Sequence, residues 1–158
     1  MTAITQLMNA CRTADLAMAK QLLEQDPSLA NQADERGFTP LILAAYVNAV
    51  DVVALLIEKG AKVNALDASG NTTLMGCCFK GYTTVAQLLI DNGADIHIVN
   101  KQGATALAFA ATFGQLEMAK LLLELGASSD TKDAQGLSPL DHAKAQEKAE
   151  LITLLEQN

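Results

Sequence analysis

The chain is 158 residues long, 50% hydrophobic and 18% charged, which places it among ordinary globular sequences of about one domain's length. Its formal charge of −7 and pI near 4.7 give an averaged field that repels phosphate backbones and anionic lipid headgroups, so nucleic acid and membrane surfaces are poor expected partners. No apolar run reaches the roughly 18 residues of a membrane span, and Met1 to Leu7 lacks the basic and apolar regions of a signal peptide, so a cytoplasmic protein is expected.

In chain order, residues 1–33 read as a degenerate opening unit. Leu7, Ala10-Cys11, Ala14, Met18 and Leu22-Leu23 fall 34 places before Leu41, Ala44-Ala45, Asn48, Val52 and Leu56-Ile57, with one residue inserted around Asp26-Pro27. Three full units of 33 residues follow, at 34–66, 67–99 and 100–132, and a shortened copy closes the chain at 133–158. The more polar end units, with Lys144, Gln146, Glu147, Lys148 and Glu150 in the last, suit the exposed ends of a stacked array.

Each recurring residue has a local reason. Asp34 to Gly37 and its copies read as a tight turn, because Asx side chains bond the local backbone and Gly accepts positive φ. A Thr recurs at 39, 72 and 105, and Thr39-Pro40 and Ser138-Pro139 read as helix starts, the hydroxyl capping free amides and Pro filling the first helical position. A short helix then carries the small pairs Ala44-Ala45, Cys77-Cys78 and Ala110-Ala111, which allow close helix approach. Asn48, Gly81 and Gly114 mark a left-handed turn into a second helix, where Val52, Val53, Leu55 and Leu56 and their equivalents recur at helical spacing. That helix stops at Gly60, Gly93 and Gly126.

The odd set Cys11, Cys77 and Cys78 has neither zinc-site nor redox spacing, and no metal or cofactor is expected. Cys11 and Cys78 share a register position two units apart, and helices spaced about 8–10 Å put them beyond the roughly 7 Å reach of a disulfide. Cys77 and Cys78 therefore read as buried packing residues. The rival enzyme reading takes one of them as nucleophile with His97 as base, and lacks any oxyanion or phosphate motif. Gly76 to Gly81 imitates the glycine spacing of a phosphate loop, but Tyr82-Thr83 stands where Lys and a hydroxyl residue belong. His97 is read as bonding neighbouring backbone, and His142 has no second ligand at metal spacing.

The period, with Gly37-Phe38-Thr39-Pro40-Leu41, Ala44-Ala45, Leu55-Leu56 and Gly60-Ala61, resembles the ankyrin repeat over essentially the whole chain. The resemblance implies an all-α solenoid of helix-turn-helix units joined by β-hairpin-like loops, one domain spanning 1–158. The family's His after Thr-Pro-Leu is replaced by Ile42, Met75, Ala108 and Asp141, so apolar packing is expected to take over there. Thr73 in place of Pro predicts a less regular second repeat.

The resemblance further implies a non-catalytic module that binds a partner protein on a concave face, as regulator or inhibitor, or alternatively as a scaffold joining two partners. The positions it implies are Glu35, Arg36, Phe38, Tyr46 and Val47; Ala68, Ser69, Asn71, Phe79 and Lys80; and Lys101, Gln102, Ala104, Thr112 and Phe113. Four of the chain's six aromatic residues fall in this set, and aromatic side chains supply binding hot spots. Of the other two, Phe109 is expected in the core and Tyr82 half exposed. A monomer is the simplest expectation, with self-association of the groove left open. Truncating Phe79 and Phe113 to Ala is expected to weaken binding and leave the thermal melt nearly unchanged.

Overall fold

Helix starts set the architecture. Thr39, Thr72 and Thr105 hold extended backbone, and their hydroxyls accept the amides of Ile42, Met75 and Ala108. Each satisfies one of the first-turn N–H groups that a helix leaves free. In the computed structural model, which describes Met1–Asn158, these caps open α3 (Pro40–Tyr46), α5 (Thr73–Lys80) and α7 (Ala106–Thr112), and Ser138 opens α9 (Pro139–Ala145). The opening unit supplies α1 (Ala3–Arg12), α2 (Leu16–Gln25) and a turn of 3-10 helix at Pro27–Asn31. The second helices are α4 (Val50–Glu58), α6 (Thr83–Asp91), α8 (Leu116–Glu124) and α10 (Ala149–Glu156). The chain is all α-helical, a solenoid of stacked helical hairpins.

Thr73 does not loosen the second repeat. Helix α5 has 8 residues against 7 in α3 and α7, and α7 begins without Pro as well, so the threonine cap is sufficient. The substitution does leave a mark, because Thr73 Oγ1 is buried without a hydrogen-bond partner.

The second helices of the three full units stop in one way. In α4 the Gly60 amide donates to Ile57 and the Ala61 amide to Leu56, with Gly60 at φ +90°, the left-handed ending that satisfies the last carbonyls. The turn between paired helices is left-handed in all five units: beyond Asn48, Gly81 and Gly114, the sequence places Ala14 (φ 56°) and Glu147 (φ 55°) there.

The connecting loops are turns rather than strands. The side chains of Asp34, Asp67, Asn100 and Asp133 each accept two amides of their own turn at 2.8 to 3.0 Å. One backbone bond then joins each tip to the next, Ala68 to Arg36 at 2.9 Å, Lys101 to Ser69 at 3.1 Å and Ala134 to Gln102 at 2.8 Å. The tips approach so closely that a Cβ on Gly37 would lie 2.8 Å from the Ala68 nitrogen.

One apolar core runs from Leu7 to Leu155, built from Leu, Val, Ala, Met and the three cysteines. Ala44-Ala45, Cys77-Cys78 and Ala110-Ala111 are buried in it, and their small side chains let α1, α3, α5, α7 and α9 pack closely in a row. The second helices meet more sparsely, so the array curves with the first helices on its inner side. Met18 departs from the expected pattern. Its counterpart Val52 is buried, whereas Met18 is 40% exposed.

Candidate protein-interaction face

The aromatic residues on the inner side form a continuous row. The rings of Tyr46 and Phe79 lie nearly parallel (8°) with centroids 6.2 Å apart, and Phe79 meets Phe113 edge to face at 4.4 Å and 82°. Tyr46 is 47% and Phe113 45% exposed, while Phe79 between them is half-buried. Each ring comes from the last turn of a first helix or the residue after it, so the repeat spacing itself aligns them.

Two cations sit on aromatic rings nearby, one of them on the row itself. The Arg36 guanidinium lies 4.7 Å above the Phe38 ring and the Lys80 ammonium 4.6 Å from the centre of Tyr46, arrangements worth about 0.5–1 kcal/mol each at exposed sites. Phe38, Tyr46, Asn71 and Phe79 line one cavity of about 410 Å³, together with Ile42, Met75 and Phe109. Gln102, Ala104, Thr112 and Phe113 line a second of about 490 Å³, beside Asp133 and His142. Glu35, Val47, Ala68, Ser69 and Lys101 are exposed, and none of them lines either cavity.

Some of these side chains are already engaged. Asn71 donates to Asp67 and accepts the Asn100 amide at 2.9 Å, bracing two tips. Thr112 turns its hydroxyl back to the Ala108 carbonyl at 2.8 Å.

Some exposed or half-buried apolar residues differ from what the sequence singled out. Phe109 is not a core residue but half-buried on the cavity wall, with its ring 6.4 Å from that of Phe113. The signal was Gly76, which stands at the register position of Leu43 and Phe109 and leaves space beside them. Leu66 and Val99, one residue before the tips, are 49% and 47% exposed. Tyr82 is half-exposed, as expected. Met75 and Ala108 are buried apolar side chains where the family carries His, but Ile42 is half-buried on the cavity wall, and Asp141 instead receives the Ser138 amide at 2.9 Å and caps its own helix.

The thiols offer no nucleophile. All three cysteines are buried and unbridged. Burial pushes Cys77 up to about 12 and raises Cys78 well above the ordinary thiol range, because the thiolate loses its hydration. The phosphate-loop imitation is the end of α5, helical from Gly76 to Lys80 and closed by Gly81 as a left-handed cap. The ring of His97 bonds no neighbouring backbone; its main-chain amide donates to Asp95. No helix is long and apolar enough to cross a membrane.

The family model for ankyrin repeats matches residues 7–100 and 74–158. Among curated proteins, the chain is 43% identical over 60 residues to the probable E3 ubiquitin-protein ligase XBOS33 of Oryza sativa subsp. japonica. It is 39% identical over 56 residues to BTB/POZ domain-containing protein 3 of Schizosaccharomyces pombe. These matches take in 37% and 35% of this chain but only 12% and 11% of those longer proteins. Repeat period, helix caps, stacked tips and family match agree: the chain belongs to the ankyrin-repeat family, whose stacked hairpins are protein-interaction modules.

Proposed function

We propose that the inner face, centred on Tyr46, Phe79 and Phe113, holds one partner protein, and that the chain acts on that partner as a regulator or inhibitor. The observation that carries this reading is the ring row itself. Tyr46 and Phe113 leave nearly half their surface in water, although Leu, Val, Ala and Met fill the core without them. Exposed aromatic surface clustered across successive repeats is the composition of a binding hot spot rather than of a solvated helix edge. Three full repeats offer one groove, which favours a single partner over a scaffold joining two.

A photo-crosslinking amino acid placed singly at Val47, Lys101 or Thr112, and at Gln87 or Lys120 on the outer helices, tests it in native extract. Crosslinks to one protein from the inner positions alone, lost when Tyr46 and Phe113 become Ala, are the expected result. Equal crosslinking from Gln87 and Lys120, indifferent to those rings, would overturn it.

A further inference from the structure

The inner cavity by α5 is left open by one residue. Leu43, Gly76, Phe109 and His142 hold the same register position in successive units, and Gly76 alone brings no side chain. A Cβ built on it would meet nothing nearer than Tyr46 Cδ2 at 4.0 Å. Gly76 is absent from the left-handed residues, so no turn geometry requires glycine in the middle of α5, where it is a poor helix former. The opening it leaves, about 410 Å³, is walled by Phe38, Ile42, Tyr46, Met75, Phe79 and Phe109. On the same wall is Thr73, 2% exposed, whose hydroxyl is the one buried side-chain polar atom with no partner.

Charge at the mouth runs against the rest of the protein. The chain carries −7 overall, yet Arg36 and Lys80 lie over the rings of the cavity rim, and Lys101 follows one repeat further on. None of the three meets a carboxylate. Of the nearby acids, Asp67 is occupied by the amides of Ser69 and Asn71, and Glu35 neighbours Arg36 at the tip. A neutral apolar molecule would fill the cavity and leave these cations unused.

We propose that the cavity receives one large apolar side chain of an acidic segment of the partner, whose carboxylates meet Arg36, Lys80 and Lys101. This rests on the inner-face reading above. Adjacent repeats are about 10 Å apart and an extended chain advances roughly 3.3 Å per residue, so carboxylates about three residues apart match successive repeats. Charge-assisted contacts of this kind set specificity and on-rate, and the buried anchor sets residence time.

Random dodecapeptides displayed on phage and panned on the full chain test this directly, with enriched sequences then measured as free peptides by fluorescence anisotropy. The expected binders carry one large apolar residue flanked by Asp or Glu, weaken as salt rises, and lose about tenfold or more in affinity against Gly76→Leu. Gly76→Ala, which fits without displacing a neighbour, guards against a folding failure: its melt should rise while its affinity falls in the same direction. Neutral or basic binders, no enrichment, or binding unaffected by both Gly76 variants would overturn the proposal. Peptides lost on Tyr46→Ala with Phe113→Ala but indifferent to Gly76 would sink the anchor pocket and leave the inner face standing, whereas peptides indifferent to all four changes would remove both.

Discussion

The Asn64 side chain clamps one repeat to the next, accepting the Asp95 amide at 2.8 Å and donating to the Gly93 carbonyl at 2.9 Å. Asn31 does the same one unit earlier, with Lys62 and Gly60. His97 occupies this position in the following unit, and its ring makes no such bonds. The clamp is missing at the junction where α6 and α8 make the sparsest contact of the outer row, with an open groove between them.

His97→Asn should therefore restore two bonds to Ser128 and Gly126. At about 0.5–1.5 kcal/mol per bond before the ordering cost, a gain of about 1 kcal/mol is expected, or roughly 2–4 °C in the melt. Asn64→Ala should lose a similar amount. Differential scanning calorimetry on both variants checks this, and an unchanged melt in each would show that the clamp is incidental.

Ala14 and Glu147 hold left-handed backbone at φ 56° and 55°, a conformation that costs a residue with a Cβ roughly 1–2 kcal/mol. Glycine relieves that strain but returns about 0.5–1 kcal/mol through the freer unfolded chain. Ala14→Gly and Glu147→Gly should each stabilise by about 0.5 kcal/mol. Their effects should add, because the sites lie at opposite ends of the array. Urea denaturation of the single and double variants measures it, and a loss of stability in either single variant would contradict the strain argument.

The repeats were legible because their signals are local. A threonine cap, a glycine stop and the Asx turns act within a few residues, so Thr39, Gly60 and Asp34 announce themselves in one dimension. The left-handed turns at Ala14 and Glu147 emerged from register alone, against the preference of those residues. The wall of the inner face was less legible, since exposure there depends on what the adjacent unit brings to the same position. Phe109 reads as core next to Leu43, and becomes a cavity wall because Gly76 stands between them. Leu66 and Val99 carry no pattern that separates them from buried residues until the tips are stacked.

Acid should weaken the closing unit first. The Leu137 amide, the His142 ring at 2.7 Å and the Gln135 amide hold the Asp133 carboxyl below its usual range, and the Ser138 amide and hydroxyl do so for Asp141. Carboxyls depressed in the folded state contribute stability that is present above their unfolded pKa, about 3.9, and is lost as pH falls through the lower folded value. The melt of the native chain should drop below about pH 4. Asp133→Asn with Asp141→Asn should show a shallower drop, since Asn100 shows that an amide can build the same turn. Equal slopes between pH 3 and 7, read by circular dichroism, would remove these two carboxyls as the cause.

The buried thiols predict silence toward alkylation. With Cys11 and Cys77 pushed up to about 12, almost no thiolate exists near neutral pH, and the sulfur atoms lie inside the core. Iodoacetamide should modify the native chain only as fast as it opens, and all three cysteines at once in denaturant. Rapid native labelling of Cys77 or Cys78 would reopen the nucleophile reading.

The edge-to-face contact of Phe79 with Phe113 also changes what truncation should do. Sequence alone suggests that these rings can be removed with the melt nearly unchanged, but such a pair is worth about 0.5–1.5 kcal/mol beyond its buried area. Phe113→Ala should cost about 1 kcal/mol, and Phe79→Ala more because that ring is half-buried between two others. The double variant should cost less than the sum, because both singles break one contact. Tyr46→Ala should be milder, its ring being nearly half exposed and in parallel contact only at 6.2 Å. A double-mutant cycle by chemical denaturation reads the coupling, and strict additivity would mean that Phe79 and Phe113 are energetically independent despite their contact. Binding losses for the Phe79 variant must accordingly be compared at temperatures well below its own melt, and Tyr46→Ala serves as the probe that separates lost contact from lost stability.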